Sequence, residues 1–108
     1  MDNLEIIIQN IKLKKLDTAL KLCNEYTNSE NGHIINNFKG VIYSLLNKQN
    51  LAEEHFQKSH DLDFKFEDPL KNLYVIKIRK KDFVDAIKIC EKLCKINYKN
   101  DLYFYLWK

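Results

Sequence analysis

An all-α fold of stacked helix pairs follows from three features of this chain. Ala19, Ala52 and Ala86 stand 33 and 34 residues apart, and their surroundings recur with them. Four residues after each comes Cys23, Phe56 or Cys90, and seven after comes Tyr26, Ser59 or Leu93. A period near 34 repeated about three times in 108 residues marks a helical repeat, in which each unit hides its apolar face against a neighbour. The second feature is apolar spacing at i, i+3, i+4 and i+7 along most of the chain. The third is composition: one Pro and two Gly leave little material for β-turns.

Taken in order, the first helix carries Leu4, Ile7, Ile8 and Ile11. After a break at Lys14-Lys15, a second carries Leu16, Ala19, Leu20 and Cys23, with Asp17 near its positive end. A longer joint at Thr27 to Gly32 follows. Phe38, Ile42 and Leu45 form the next stripe, Asn47 to Asn50 the next break, and Ala52, Phe56 and Leu62 the fourth helix. Beyond the joint at Phe64 to Asp68, Pro69 suits the first turn of a helix, where its missing N–H costs nothing. Leu70, Leu73, Val75 and Ile76 lead to Lys80-Lys81-Asp82. Phe83, Ala86, Ile87, Cys90, Leu93 and Cys94 then make a strongly amphipathic sixth helix. The expectation is one domain over 1–108, with repeats at about 1–32, 33–66 and 67–100.

Alanine at the recurring place has a packing reason. Where the second helix of a pair crosses the first, a methyl is the largest group tolerated. Gly40 is the expected partner of Ala52 across that crossing, since glycine inside a helix costs about 1 kcal/mol relative to alanine and needs a reason to be there. Tyr43 is expected to fill the space beside it.

Charged residues make up 31% and the hydrophobic set 45%, so a packed core is affordable and disorder is not expected. The longest apolar runs, such as Ile6-Ile7-Ile8, are too short to span a bilayer. The amino end, Met1-Asp2-Asn3-Leu4-Glu5, lacks the pattern of a secretory signal. Cys23, Cys90 and Cys94 are an odd set without zinc spacing, so reduced thiols and a cytoplasmic location are expected. The Asn, Lys and Ile bias suggests an AT-rich, bacterial genome.

Gly40, Tyr43, Ala52 and Phe56 together resemble the tetratricopeptide repeat family in order and spacing. The third copy matches through Asn72-Leu73, Asp82-Phe83, Asp85-Ala86-Ile87 and Leu93, and the first through Leu16, Ala19, Leu20 and Tyr26. The chain departs from the pattern at Ile7 and Tyr74, where a small residue is usual, and at Asn31, Phe64 and Tyr98, where a proline is. Lys39 replaces a common leucine. The resemblance implies a right-handed α-solenoid of antiparallel helix pairs. Asp101 to Lys108 would open a fourth repeat, either continuing into a longer protein or folding back as an aromatic cap. An exposed aromatic end of this kind could also support self-association.

The same resemblance implies a concave binding groove lined by the first helix of each pair. Its inward positions fall on Leu4, Ile8, Ile11 and Lys12, then Ile34, Asn37, Val41, Ser44 and Leu45, then Asp68, Lys71, Val75, Ile78 and Arg79. From these, Ile8, Ile11, Lys12, Asn37, Val41, Ser44, Lys71, Val75, Ile78 and Arg79 are the candidate partner-binding residues. The groove would be apolar along its middle with cations at its edges, suited to a peptide or amphipathic helix bearing acids. Any one of these apolar positions reads equally as core. The family's chaperone-binding carboxylate clamp is absent, because its positions hold Leu4, Ile8, Phe38, Asp68 and Asn72.

Residues 1–70 hold 8 Lys and 11 acids, whereas residues 71–108 hold 10 Lys or Arg and 4 acids. Lys81, Lys88, Lys92, Lys95 and Lys99 with Tyr103 to Trp107 form a weak nucleic-acid footprint, but a net charge of +3 gives little pull on a polyanion. Cys90 and Cys94 are a helical turn apart and read as packed thiols, as does Cys23. His33, His55 and His60 are scattered, with His60 expected to pack through a hydrogen bond. Glu53-Glu54 and Asp61 with Asp63 read as solvated carboxylates. No phosphate loop or nucleophile elbow occurs, and no metal or cofactor site is expected. The leading expectation is therefore a non-catalytic protein-interaction scaffold. An N-terminal repeat region of a larger enzyme, such as a bacterial glycosyltransferase or sulfotransferase, is the alternative, and a polyanion binder a weaker one.

Overall fold

The computed structural model describes residues 2–97, which form six α-helices and, among the described residues, no strand. They are α1 (Asn3–Lys12), α2 (Leu16–Tyr26), α3 (Gly32–Leu45), α4 (Gln49–Leu62), α5 (Asp68–Arg79) and α6 (Phe83–Ile96). The breaks and joints read from the sequence fall within two residues of those observed, with Gly32, Gln49 with Asn50, and Asp68 already in the helices that follow. The fourth opening helix expected at 101–108 lies outside the described residues.

The first helix of each pair ends in one shared turn. Leu13, Leu46 and Lys80 cap α1, α3 and α5, and the next residues, Lys14, Asn47 and Lys81, take φ values of 62°, 61° and 61°. Lys14 N–H donates to the Ile11 carbonyl and Lys15 N–H to that of Asn10. The second and third turns repeat this through Asn47 to Ser44 and Lys48 to Tyr43, then Lys81 to Ile78 and Asp82 to Lys77, all within 2.8–3.1 Å. This is the Schellman arrangement, which returns two otherwise orphaned carbonyls to hydrogen bonds. Five residues beyond each left-handed residue comes Ala19, Ala52 or Ala86. Each is fully buried, and each amide donates to the carbonyl of Lys15, Lys48 or Asp82 at the head of its helix. The sequence period is therefore also a period of the backbone.

Side chains tie the two longer joints. Asn28 Oδ1 accepts from the amides of Glu30 and Asn31, while Asn31 Oδ1 accepts from that of Asn28 and its Nδ2 donates to the Tyr26 carbonyl. Such Asx turns let a short polar side chain imitate a turn of backbone. Asp63 does the same for Lys65 in the second joint. Pro69 sits in the first turn of α5, and Asp2 and Asp82 cap α1 and α6 through the amides of Glu5 and Asp85.

The core forms two clusters. Ile7, Ala19, Cys23, Ile35 and Ile42 join α1, α2 and α3; Ala52, Phe56, Leu70, Leu73, Ile76, Ile89 and Leu93 join α4, α5 and α6. Each helix packs on the next in sequence, α3 on α4 most extensively, and α3 also reaches α5. Gly40 corrects one detail of the crossing expected from the sequence. What its missing side chain admits is the ring of Phe56: a Cβ there would overlap Cε1, Cδ1 and Cζ, the last at 2.8 Å. Tyr43 packs beside it, stacked on His55 with ring centroids 5.2 Å apart.

Two predictions test this frame. Helix propensity alone would make Gly40→Ala stabilising by about 1 kcal/mol, but the Phe56 overlap reverses the sign, to a loss of about 1–3 kcal/mol. Urea unfolding measures it, and adding Phe56→Leu should recover part of the loss. At the third turn, Lys81→Gly should raise the urea midpoint, because a side chain in the left-handed region costs about 1 kcal/mol or more. Lys81→Val should lower it, whereas Asn47→Gly should change little, since Asn tolerates that conformation.

Candidate functional site

The residues singled out for binding lie on α1, α3 and α5 and recur at the repeat spacing. Ile8, Val41 and Val75 are spaced by the repeat, as are Ile11, Ser44 and Ile78, and Lys12, Leu45 and Arg79. Each helix leaves one apolar side chain in water: Ile8 is 36% exposed, Leu45 41% and Val75 44%. Lys12 and Arg79 are exposed at the two ends of their row, and Ile11, Val41, Ser44 and Ile78 are half-buried. Val41 packs against the Phe56 cluster and Ile11 against the Ile7 cluster, so both serve the core. Lys71 lies 3.5 Å from Glu67, its i,i+4 neighbour. Asn37 is 6% exposed, and its Oδ1 accepts a 3.0 Å hydrogen bond from Asn72 Nδ2. That oxygen ties α3 to α5 and is not an open ligand contact. α1 meets α3 within the Ile7, Ile35 and Ile42 core.

Polar groups that sequence reasoning set aside turn out to hold elements together. Glu53 is a half-buried carboxylate of α4 paired with Lys80 and, at 3.7 Å, with Lys77 of α5. Lys77 also reaches Asp85 of α6 at 3.4 Å, and this hydrogen bond to the ammonium holds the Asp85 carboxyl below its ordinary range. Nothing in the local sequence signals this, because its members come from three helices. Ser59, buried, donates to the His33 carbonyl at 2.6 Å. His33 meets the Phe66 ring edge-on and Asp63 at 3.8 Å, which packs the second joint onto the start of α3.

The histidines and thiols are shaped by burial. His55 is in hydrogen-bond contact with Asn36 Oδ1 at 3.1 Å, and burial with Lys58 and Lys39 nearby lowers its pKa against a smaller opposing effect of Glu54. His60 differs from expectation: its Nδ1 is buried without a hydrogen-bond partner among the described residues. Burial and Lys92 lower its pKa, with Asp61 opposing. Cys23 and Cys90 are buried, as read from their helix faces, and burial raises both thiols, Cys23 to about 11. At neutral pH neither is a thiolate nucleophile. Among the described residues no group of three His, Cys, Asp or Glu is placed to hold a metal, and no helix is long and apolar enough to cross a membrane.

A separate opening follows the seam between α4 and α6. One part, about 700 Å³, has Leu70, Leu73 and Ile89 beneath and Glu53, Lys77 and Lys88 among its walls. A second, about 510 Å³, lies among His60, Phe64, Lys65, Lys92, Lys95 and Ile96.

Comparison with protein-family models, curated proteins and solved structures finds no match to this chain.

Both depressed histidines bind protons more weakly folded than unfolded. Their contribution to stability is therefore full above the unfolded value of 6.5 and is lost as pH falls below it. The thermal midpoint should drop between pH 7.5 and pH 5, and His55→Gln with His60→Gln should flatten that drop relative to the parent protein.

Proposed function

We propose that this chain is an interaction module of the tetratricopeptide type, its antiparallel helix pairs stacked in a right-handed array that binds a peptide across the first helices. The single observation that carries this reading is that α1, α3 and α5 each leave an apolar side chain in water, Ile8 and Val75 at equivalent places in the repeat and Leu45 one turn further along its helix. Isolated exposed apolar residues need no explanation, but one per first helix along a repeat does. Lys12 and Arg79, exposed at the ends of the row that holds Leu45, select an apolar segment carrying acids. The partner is a protein segment, extended or helical, and the activity is non-catalytic binding. The raised, buried thiols of Cys23 and Cys90 suit a reducing compartment, so the cytoplasm is the proposed location.

Selection from a random peptide library should enrich Leu, Ile or Phe together with Asp or Glu. Val75→Glu should weaken a selected peptide about tenfold or more, with helicity by circular dichroism unchanged. Enrichment of basic peptides, or full affinity in the Val75→Glu protein, would remove the first-helix surface from consideration.

A further inference from the structure

The seam between α4 and α6 is built as a groove. Both helices are 14 residues long and α5 lies between them, with Leu70 and Leu73 lining the opening. At about 1.5 Å per residue the seam runs roughly 20 Å. Lys92 borders both openings, so the two adjoin along α6. Apolar side chains stand exposed toward either end of the α4 wall, Leu51 at 38% and Phe64, just beyond the helix, at 67%.

Its charge is one-sided. Lys88, Lys92 and Lys95 follow i, i+4, i+7 along α6, are exposed, and are held in no ion pair among the described residues. Across the seam, Glu53 is already neutralised by Lys77 and Lys80, and Asp85 by Lys77. Glu54 is the exposed acid left on the opposite lip. A row of uncompensated ammonium groups beside an apolar floor is complementary to a helix with one apolar face and acids along one flank. A single-stranded nucleic acid would use the lysines, but among the described residues the lining offers only Phe64 and His60 as rings for base stacking.

We propose that the α4–α6 seam is a second docking groove that takes an acidic amphipathic helix, its apolar face against the exposed Leu51 above the buried Leu70, Leu73 and Ile89 and its acids against Lys88, Lys92 and Lys95. This surface is distinct from the first-helix face.

The test uses the full chain and a helical peptide of about 14 residues, matched to the seam length, with Leu on one face and Glu along one flank. Controls are a scrambled peptide and one with Lys in place of Glu. The Glu peptide should bind saturably by fluorescence anisotropy. Combined Lys88→Glu, Lys92→Glu and Lys95→Glu substitution should weaken it about tenfold and shift preference to the Lys peptide. Val75→Glu should leave both affinities unchanged, which separates this groove from the first-helix surface. Four results would overturn the assignment: no binding, as when the chain's own residues 98–108 fill the groove; equal binding of the scrambled peptide; indifference to the charge reversal; or displacement of the peptide by a single-stranded oligonucleotide.

Discussion

The three-residue turn inside each helix pair is the constraint from which the remaining geometry follows. It fixes a left-handed residue at Lys14, Asn47 and Lys81 and then, five residues on, a fully buried alanine. Because the turn leaves no slack, the rotation of the second helix about its axis is set relative to the first. That rotation decides which face of each helix is covered and which remains in water. Ile8 and Val75, each six residues before its left-handed residue, are exposed for this reason, whereas Val41 at the same place is covered by the Phe56 cluster and leaves Leu45 in water instead. The strain of three non-glycine residues at positive φ, about 1 kcal/mol or more apiece, is the cost of identical turns. It is offset by the carbonyls that the turns satisfy and by the apolar surface that the alanines allow to close.

The middle of the molecule is the most tightly specified part. Gly40 admits the Phe56 ring, Tyr43 stacks on His55, and Ser59 donates to the His33 carbonyl. The link from the second to the third pair is more mixed. Leu70, Leu73 and Ile76 bury against the α4 side, yet the polar contacts Asn37–Asn72 and Glu53–Lys77–Asp85 span the same region. Half-buried ion pairs contribute little net stability, since desolvation cancels much of their attraction, but they penalise other registers. Their effect here is to fix α5 and α6 against α4 while the seam between α4 and α6 stays open.

Much of the helical frame was legible because it is written in spacing. The recurring alanines, the apolar stripes, Pro69 and the polar breaks each carry a local signal, and their structural counterparts lie where those signals point. The turns themselves were less legible. Left-handed residues are usually announced by Gly, and Lys14 and Lys81 give no such notice. Glu53 looked like a solvated carboxylate because its partners, Lys77 and Lys80, lie on another helix. His60 was expected to pack through a hydrogen bond, and its buried Nδ1 finds no partner among the described residues. For the binding surface the sequence supplied the register, while only the coordinates separate Val75, left in water, from Val41, which is spent on the core, and Asn37, which is spent on Asn72.

The distribution of charge follows from the same division of labour. Acids are the majority up to residue 70, and several of them act as structural partners: Asp2 caps α1, Glu53 receives two lysines, and Asp63 closes a joint. In the final pair the balance reverses. Lys77 and Lys80 are used internally, whereas Lys88, Lys92 and Lys95 follow one side of α6 without a counter-ion among the described residues. A lysine ordered by an ion pair has its field largely cancelled. Three unpaired lysines on one helical stripe instead sum their fields over a distance comparable to the screening length of about 8–10 Å at physiological salt. Uncompensated positive charge therefore lies along the seam that the helices leave uncovered. An approaching acidic segment would feel it before any apolar contact forms.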